Sequence, residues 1–366
     1  MRVAMLASAL LLAFASAFGC MWDRDTLASE AKGRPGLTET LTGRFPRFPD
    51  QYYEMRLERV TAEIAKNPSD LALYDDAGVA SDRLHRGDAA IEWMQKKKTG
   101  LDAGGIEPKT AREQLYRYHA NLGTFLFHKW MRDGAKADGL EKAKQGRDHI
   151  AKAIKLNPDA HFGREKYQLM AMDWIVESTD EVKRGNFLID YITPENAEET
   201  IEGLEGLIRL GDAWQSPDVM FAMNIALMEN GDRSLASVAF LKSKELLREG
   251  KASFAGNIML REDTGDYFPL VSLEHGGNIL VNWFAAARKE AQSWDDVRMK
   301  YMSERFATGA HPDVENNFWK ALHYRERPPR FPGGNTPGNI GIFFSLIFVI
   351  ALALLGWLLV SLWRNR

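Results

Sequence analysis

The sequence predicts an all-α protein of consecutive short helix pairs, followed by one membrane-crossing helix. Three observations carry that expectation. Between residues 50 and 327 almost every segment repeats its apolar residues at helical spacing, and no alternating β-branched run is long enough to demand a sheet. Pro68, Pro158, Pro194, Pro217 and Pro312 fall at segment starts, where a missing backbone N–H costs little. Ile340–Leu362 is 23 residues without a charge, about 35 Å of helix against a hydrocarbon core of about 30 Å.

The amino-terminal elements come first. Met1-Arg2 precedes the apolar run Val3–Phe18, and Ala17-Phe18-Gly19 has the small-x-small form of a cleavage site. Residues 1–19 therefore read as a signal peptide. The segment resembles a bacterial lipoprotein signal, which implies lipidation of Cys20, although Ala17 stands where that pattern has Leu. The alternative is plain cleavage near Ala17 or Gly19. Residues 20–50 read as an extended tether, punctuated by Gly33, Pro35, Gly36, Gly43, Pro46 and Pro49. Its phrase Arg44-Phe45-Pro46-Arg47-Phe48-Pro49 repeats itself and returns as Arg330-Phe331-Pro332. The expected role of these aromatics is to dock on the helical domain.

That domain covers 51–327, with helix-sized blocks near 50–66, 70–85, 88–99, 108–132, 140–156, 163–178, 197–213, 217–229, 233–248, 273–292, 294–307 and 311–324. Three stretches share a pattern. In 217–247, Gly231-Asp232 turns the chain and is followed by Ala236, Phe240 and Ser243. From Leu71, the residues Tyr74, Ala77 and Gly78 are answered by Ala90 and Met94, with His85 at the turn and Lys97 in place of a small residue. The third runs from Tyr118-His119-Ala120-Asn121-Leu122-Gly123 to His149–Pro158. These units resemble tetratricopeptide repeats (TPR), helix–turn–helix modules that stack into an α-solenoid because no pair buries its apolar face alone. Asn224 departs from the pattern, standing where Gly or Ala is usual. Gly123 and its expected partner Gly146 stand 23 positions apart, about 11 more than the repeat needs. The excess, around Arg132–Gly139, is expected to lengthen the turn.

Residues 328–339 are a Pro/Gly linker, 340–362 the transmembrane helix and 363–366 a short tail. Basic residues flank the span on both sides, so their count does not orient it. The signal does: the domain is expected outside (periplasmic), the tail in the cytoplasm, and the protein single-pass in the cell membrane.

Charge and motifs narrow the chemistry. With 47 Lys+Arg against 50 Asp+Glu the net charge is −3, which offers no footprint for nucleic acid. One cysteine excludes an intramolecular disulfide and any multi-cysteine metal site. The sequence holds no zinc-protease, nucleophile-elbow, phosphate-loop or calcium-loop signature. We therefore expect no enzyme, cofactor or metal. The expected partner is a protein or peptide.

In the family resembled, the first helix of each pair lines the concave surface. That implies a groove built from Asp75, Val79, Asp82 and Arg83, then Arg117, Asn121, Thr124 and His128, then Phe221, Ile225 and Met228. The second set recurs at helical spacing and forms one polar stripe. Coverage of these faces by neighbouring helices or by the Phe-Pro tether is the competing expectation. Carboxylates such as Asp75, Asp76 and Asp82 read as a solvated face.

Overall fold

A computed structural model describes residues 21–24, 36–158, 163–177, 188, 190–211, 213–251, 253–254 and 277–332. The signal peptide, Cys20, most of the 328–339 linker, the 340–362 span and the tail lie outside the described residues. The chain divides into two units, Met1–Pro329 and Arg330–Arg366. Of the second unit only 330–332 is described, and the elements named below all belong to the first.

Among the described residues there are eleven α-helices and no strand. They are α1 (Leu37–Thr42), α2 (Asp50–Lys66), α3 (Leu71–Arg83), α4 (Gly87–Asp102), α5 (Pro108–Arg132) and α6 (Leu140–Leu156). The remainder are α7 (Arg164–Glu177), α8 (Ala197–Leu210), α9 (Pro217–Glu229), α10 (Arg233–Arg248) and α11 (Gly277–Phe306). From α2 onward each helix packs on the next in sequence. No described helix is long and apolar enough to cross a membrane.

Local chemistry explains the boundaries. Pro opens α5 and α9, whose first N–H groups are capped by Glu107 and Ser216, while Asp70 and Asp232 cap α3 and α10. The α3–α4 turn needs a left-handed residue, and His85 supplies it at φ 59°.

The α5–α6 pair crosses where its smallest residues stand. A Cβ on Gly123 would lie 2.6 Å from the Gly146 carbonyl oxygen, and one on Gly146 would lie 2.7 Å from that of Gly123. At the α9–α10 crossing, fully buried Asn224 donates through Nδ2 to the Ala236 carbonyl at 2.9 Å. The amide thus ties the two helices where a smaller residue would merely let them approach.

Three expectations need correction, whereas the excess between Gly123 and Gly146 does lengthen the connection, which runs over 133–139 between α5 and α6. The blocks 273–292 and 294–307 are one helix, α11, since no Gly or Pro interrupts them at Ser293. The block 311–324 is not a helix but holds successive turns between residues 312 and 321. There, bonds such as Phe318 N–H to Glu315 and Lys320 N–H to Asn317 close three-residue loops that never propagate.

Nor is 20–50 an extended tether throughout. It contains α1, whose Thr40 and Leu41 are fully buried against α8, α10 and α11. Its Phe-Pro phrase is docked: Phe45 is buried and Phe48 stacks on Tyr52 at 4.1 Å. Arg44 pairs with Glu290 at 3.0 Å and Arg47 with Asp295 at 2.7 Å.

Two apolar clusters hold the elements around the amino-terminal segment. One joins Met21 to α2–α5 through Val60, Tyr74, Val79, Met94 and Phe125. The other joins Tyr52 and Tyr53 of α2 to Met302 and Phe306 of α11 and to Phe318 beyond it.

Candidate functional site

The stripe on α5 receives a piece of the chain's own amino-terminal segment. Asn121 is fully buried. Its Oδ1 accepts from the Trp22 backbone N–H at 2.7 Å, and its Nδ2 donates to the Trp22 carbonyl at 3.1 Å. A carboxamide carries the same donor and acceptor as a peptide unit, so this pair holds the Trp22 backbone without regard to its side chain. The second Nδ2 hydrogen goes to Asp75 Oδ1 at 3.0 Å.

The Trp22 ring fills a slot beside α5. Its indole N–H donates to Tyr116 Oη at 2.8 Å, and Tyr116 donates on to Glu165 at 2.5 Å. The two rings meet edge to face at 5.4 Å, and the Arg117 guanidinium lies 5.0 Å above the indole. Burial and the Glu165 carboxylate push the Tyr116 hydroxyl far above its usual range, so it stays protonated.

The flanking residues are held as firmly. Arg24 pairs with Asp76 through backbone N–H (3.0 Å), Nε (2.7 Å) and Nη2 (2.5 Å). Asp23 accepts from Arg56 Nη1 at 3.0 Å. Arg56, itself fully buried, also makes a two-pronged pair with Asp313 at 2.8 and 2.6 Å. The Met21 carbonyl accepts from Arg164 at 3.3 Å.

Two further polar nodes lie behind and beside this segment. Lys97 Nζ meets Asp75 at 2.5 Å with both residues buried. Burial moves both toward neutrality, Asp75 upward and Lys97 downward, against their mutual attraction. Asp82 lies 2.7 Å from His128 Nδ1 and 2.6 Å from Arg132. Burial alone would raise the Asp82 carboxyl, but these two partners hold it at about 2.

The expected groove residues are thus divided. Asp75, Arg117 and Asn121 converge on Trp22. Asp82 and His128 form the second node, and Thr124 accepts from Gln168 Nε2 at 2.9 Å. Val79 belongs to the apolar cluster with Met21. Arg83, partly exposed, reaches the Leu210 carbonyl at 3.2 Å. Phe221 and Ile225 are buried and Met228 partly so, because α9 is enclosed by α8, α10 and the turn at Ala213–Gln215.

An open groove running from acidic to apolar is therefore not what these residues form. Asp75, Asp76 and Asp82 are likewise not a solvated face, being at most 4 % exposed. Buried carboxylates need partners, and Lys97, Arg24, His128 and Arg132 supply them.

Sequence reasoning missed Trp22, Arg56, Tyr116, Arg164 and Asp313. Their partners lie tens to hundreds of positions away, so no local period marks them. Lys97 alone carried a signal, since it replaces a small residue in the repeat register.

Elsewhere, His119 and His149 approach Nδ1 to Nδ1 at 2.8 Å. An open depression lined by His85, Arg86, Lys129 and Arg132 also contains Asp88 and Asp133. Among the described residues no three His, Cys, Asp or Glu are placed to hold a metal ion. No protein-family model, curated protein or solved structure gives a match to this chain.

Proposed function

We propose that the chain is an exported, membrane-anchored scaffold of TPR-like helix pairs that binds another protein or peptide, with the faces of α3 and α5 around Arg83 as the contact. Export and anchoring rest on the signal-like start and the uncharged Ile340–Leu362. The observation that carries the binding role is the two-point hold of Asn121 on the Trp22 backbone. A buried carboxamide placed this way serves to grip a polypeptide backbone. The absence of a catalytic signature from the sequence supports a non-enzymatic role.

The test is photo-crosslinking in intact cells, with a photoreactive residue placed at Arg83 of the full chain. That position, at the end of α3, keeps part of its side chain exposed. Recurrent crosslinks to one protein are the expected result. Crosslinks confined to the chain itself would overturn the reading.

A second reading is favoured by the burial of the inner faces under Met21–Arg24. In it the domain is a structural subunit of an envelope transport or biogenesis complex, contacted on its outer surface. Crosslinks from Glu92 and Lys96 of α4, both exposed, to a stoichiometric partner, with none from Arg83, would select it.

A further inference from the structure

We propose that His119 and His149 form a two-imidazole site for a divalent transition-metal ion, Cu²⁺ above all, which staples α5 to α6. The site is separate from the residues around Trp22 and does not rest on the scaffold reading.

The helix crossing brings the two rings together. His119 stands one turn before Gly123 on α5, and His149 about one turn after Gly146 on α6. The helices run antiparallel and touch at the two glycines, so these positions face each other. Nδ1 meets Nδ1 at 2.8 Å, with the ring centroids 4.9 Å apart. The Tyr118 ring meets both imidazoles edge to face, at 5.0 and 5.8 Å, and limits their rotation. Both histidines are half-buried, so an ion can reach them from solvent.

The separation selects the metal. A metal–imidazole bond is about 2.0 Å long, so two such bonds at a right angle set their nitrogens about 2.8 Å apart. Tetrahedral ligands at the same bond length stand about 3.3 Å apart. The pair therefore matches adjacent positions of a tetragonal ion. Cu²⁺ prefers that geometry and leads the divalent series in affinity for nitrogen. No third His, Cys, Asp or Glu among the described residues completes the set, so water fills the remaining positions.

Without metal, two neutral imidazoles share one hydrogen, one ring donating and the other accepting. An ion takes both lone pairs. Burial and neighbouring positive charge hold both rings at about 4, so at neutral pH no proton has to leave the pair. The donor ring's hydrogen passes from Nδ1 to Nε2 through solvent as the ion enters. Among the charges nearby, Lys98 is paired with Asp102 at 2.6 Å. Asp148 favours a cation beside His149, and exposed Lys152 opposes it.

His119 lies in the first half of α5 and His149 in the second half of α6. The ion would thus close the end of this hairpin opposite its 133–139 connection.

The experiment titrates full-length protein in detergent with Cu²⁺ alone, followed by calorimetry and electron paramagnetic resonance. We expect one tightly held ion per chain, an axial spectrum split by two nitrogens, and a raised melting midpoint. His119→Gln and His149→Gln should each weaken binding at least about tenfold, because each tethered ligand raises the effective concentration of the other. Lys152→Gln, on the exposed surface, should tighten binding about threefold by removing an opposing charge. That variant and the wild-type spectrum decide the matter even if a histidine variant fails to fold. Undiminished binding in both histidine variants, a spectrum without the two-nitrogen splitting, or binding unmoved by Lys152→Gln would overturn the proposal.

Discussion

Gly123 and Gly146 touch backbone to backbone where α5 crosses α6, each occupying the space into which the other's Cβ would project. Neither can take a side chain without moving a helix. Gly146→Ala gains helix propensity worth up to about 1 kcal/mol, yet overpacking costs about 1–3 kcal/mol. We expect a net loss of stability and a lower urea midpoint. Ala236→Leu, at the fully buried α9–α10 crossing, should lose about as much for the same reason. A midpoint unchanged in both variants would refute this account of the crossings.

Lys97 and Asp75 form a buried pair, which allows a double-mutant cycle. Lys97→Met strands the carboxyl group and should cost about 3–5 kcal/mol. Asp75→Asn added to Lys97→Met should recover much of that loss, since the amide can still accept from Asn121. Chemical denaturation of Lys97→Met, Asp75→Asn and the double variant closes the cycle. A loss in the double variant equal to the sum of the two single losses would show that the pair is not coupled.

Acid should weaken the fold in two stages. Burial and neighbouring positive charge, His149 and Lys152 for His119 and Lys152 for His149, hold the two imidazoles down at about 4. The unfolded chain takes up these protons near 6.5, so this stability is complete above pH 6.5 and is lost as pH falls toward 4. Asp82 and Asp313 are both held at about 2 by their cationic partners, against the upward push of burial. Their contribution is complete above about pH 4 and is lost between there and pH 2, roughly 2 kcal/mol for Asp82. Thermal midpoints followed from pH 7 to 2 should show both declines. His149→Gln should flatten the upper decline, and Asp313→Asn should reduce the lower.

Membrane attachment gives a prediction outside the described residues. Leu352→Arg should cost about 2.5–3.5 kcal/mol of insertion at the span centre. Alkaline extraction of membranes should then release more of this variant than of wild type, and more again when Cys20→Ser removes the expected lipid site. Protease added to spheroplasts should digest the helical domain. Complete protection would place that domain in the cytoplasm.

The helical frame was largely legible in the sequence, because Pro and capping residues mark its starts and small residues mark its crossings. Pro108 and Pro217 open α5 and α9 where expected, and Gly146 was found from its register despite the long interval after Gly123. The polar stripe on α5 was legible as well. Its burial was not, since the covering residue Trp22 stands 99 positions before Asn121 and nothing local links them. Asp313 was hidden differently: amphipathic spacing suggested a helix there, whereas Arg56 and Arg59 hold its carboxylate among turns.

Arg56 also decides how the domain bears force. Its guanidinium takes Asp23 on one nitrogen and Asp313 on the others, and Arg24 comes within 3.8 Å of the same Asp313. Tension applied between residues 23 and 313 would bear on this ion-pair cluster, in which Arg24 and Arg59 share Asp313 with Arg56. The expected attachments to the bilayer lie beyond those two points, so lateral strain in the membrane would first load a cluster of ion pairs.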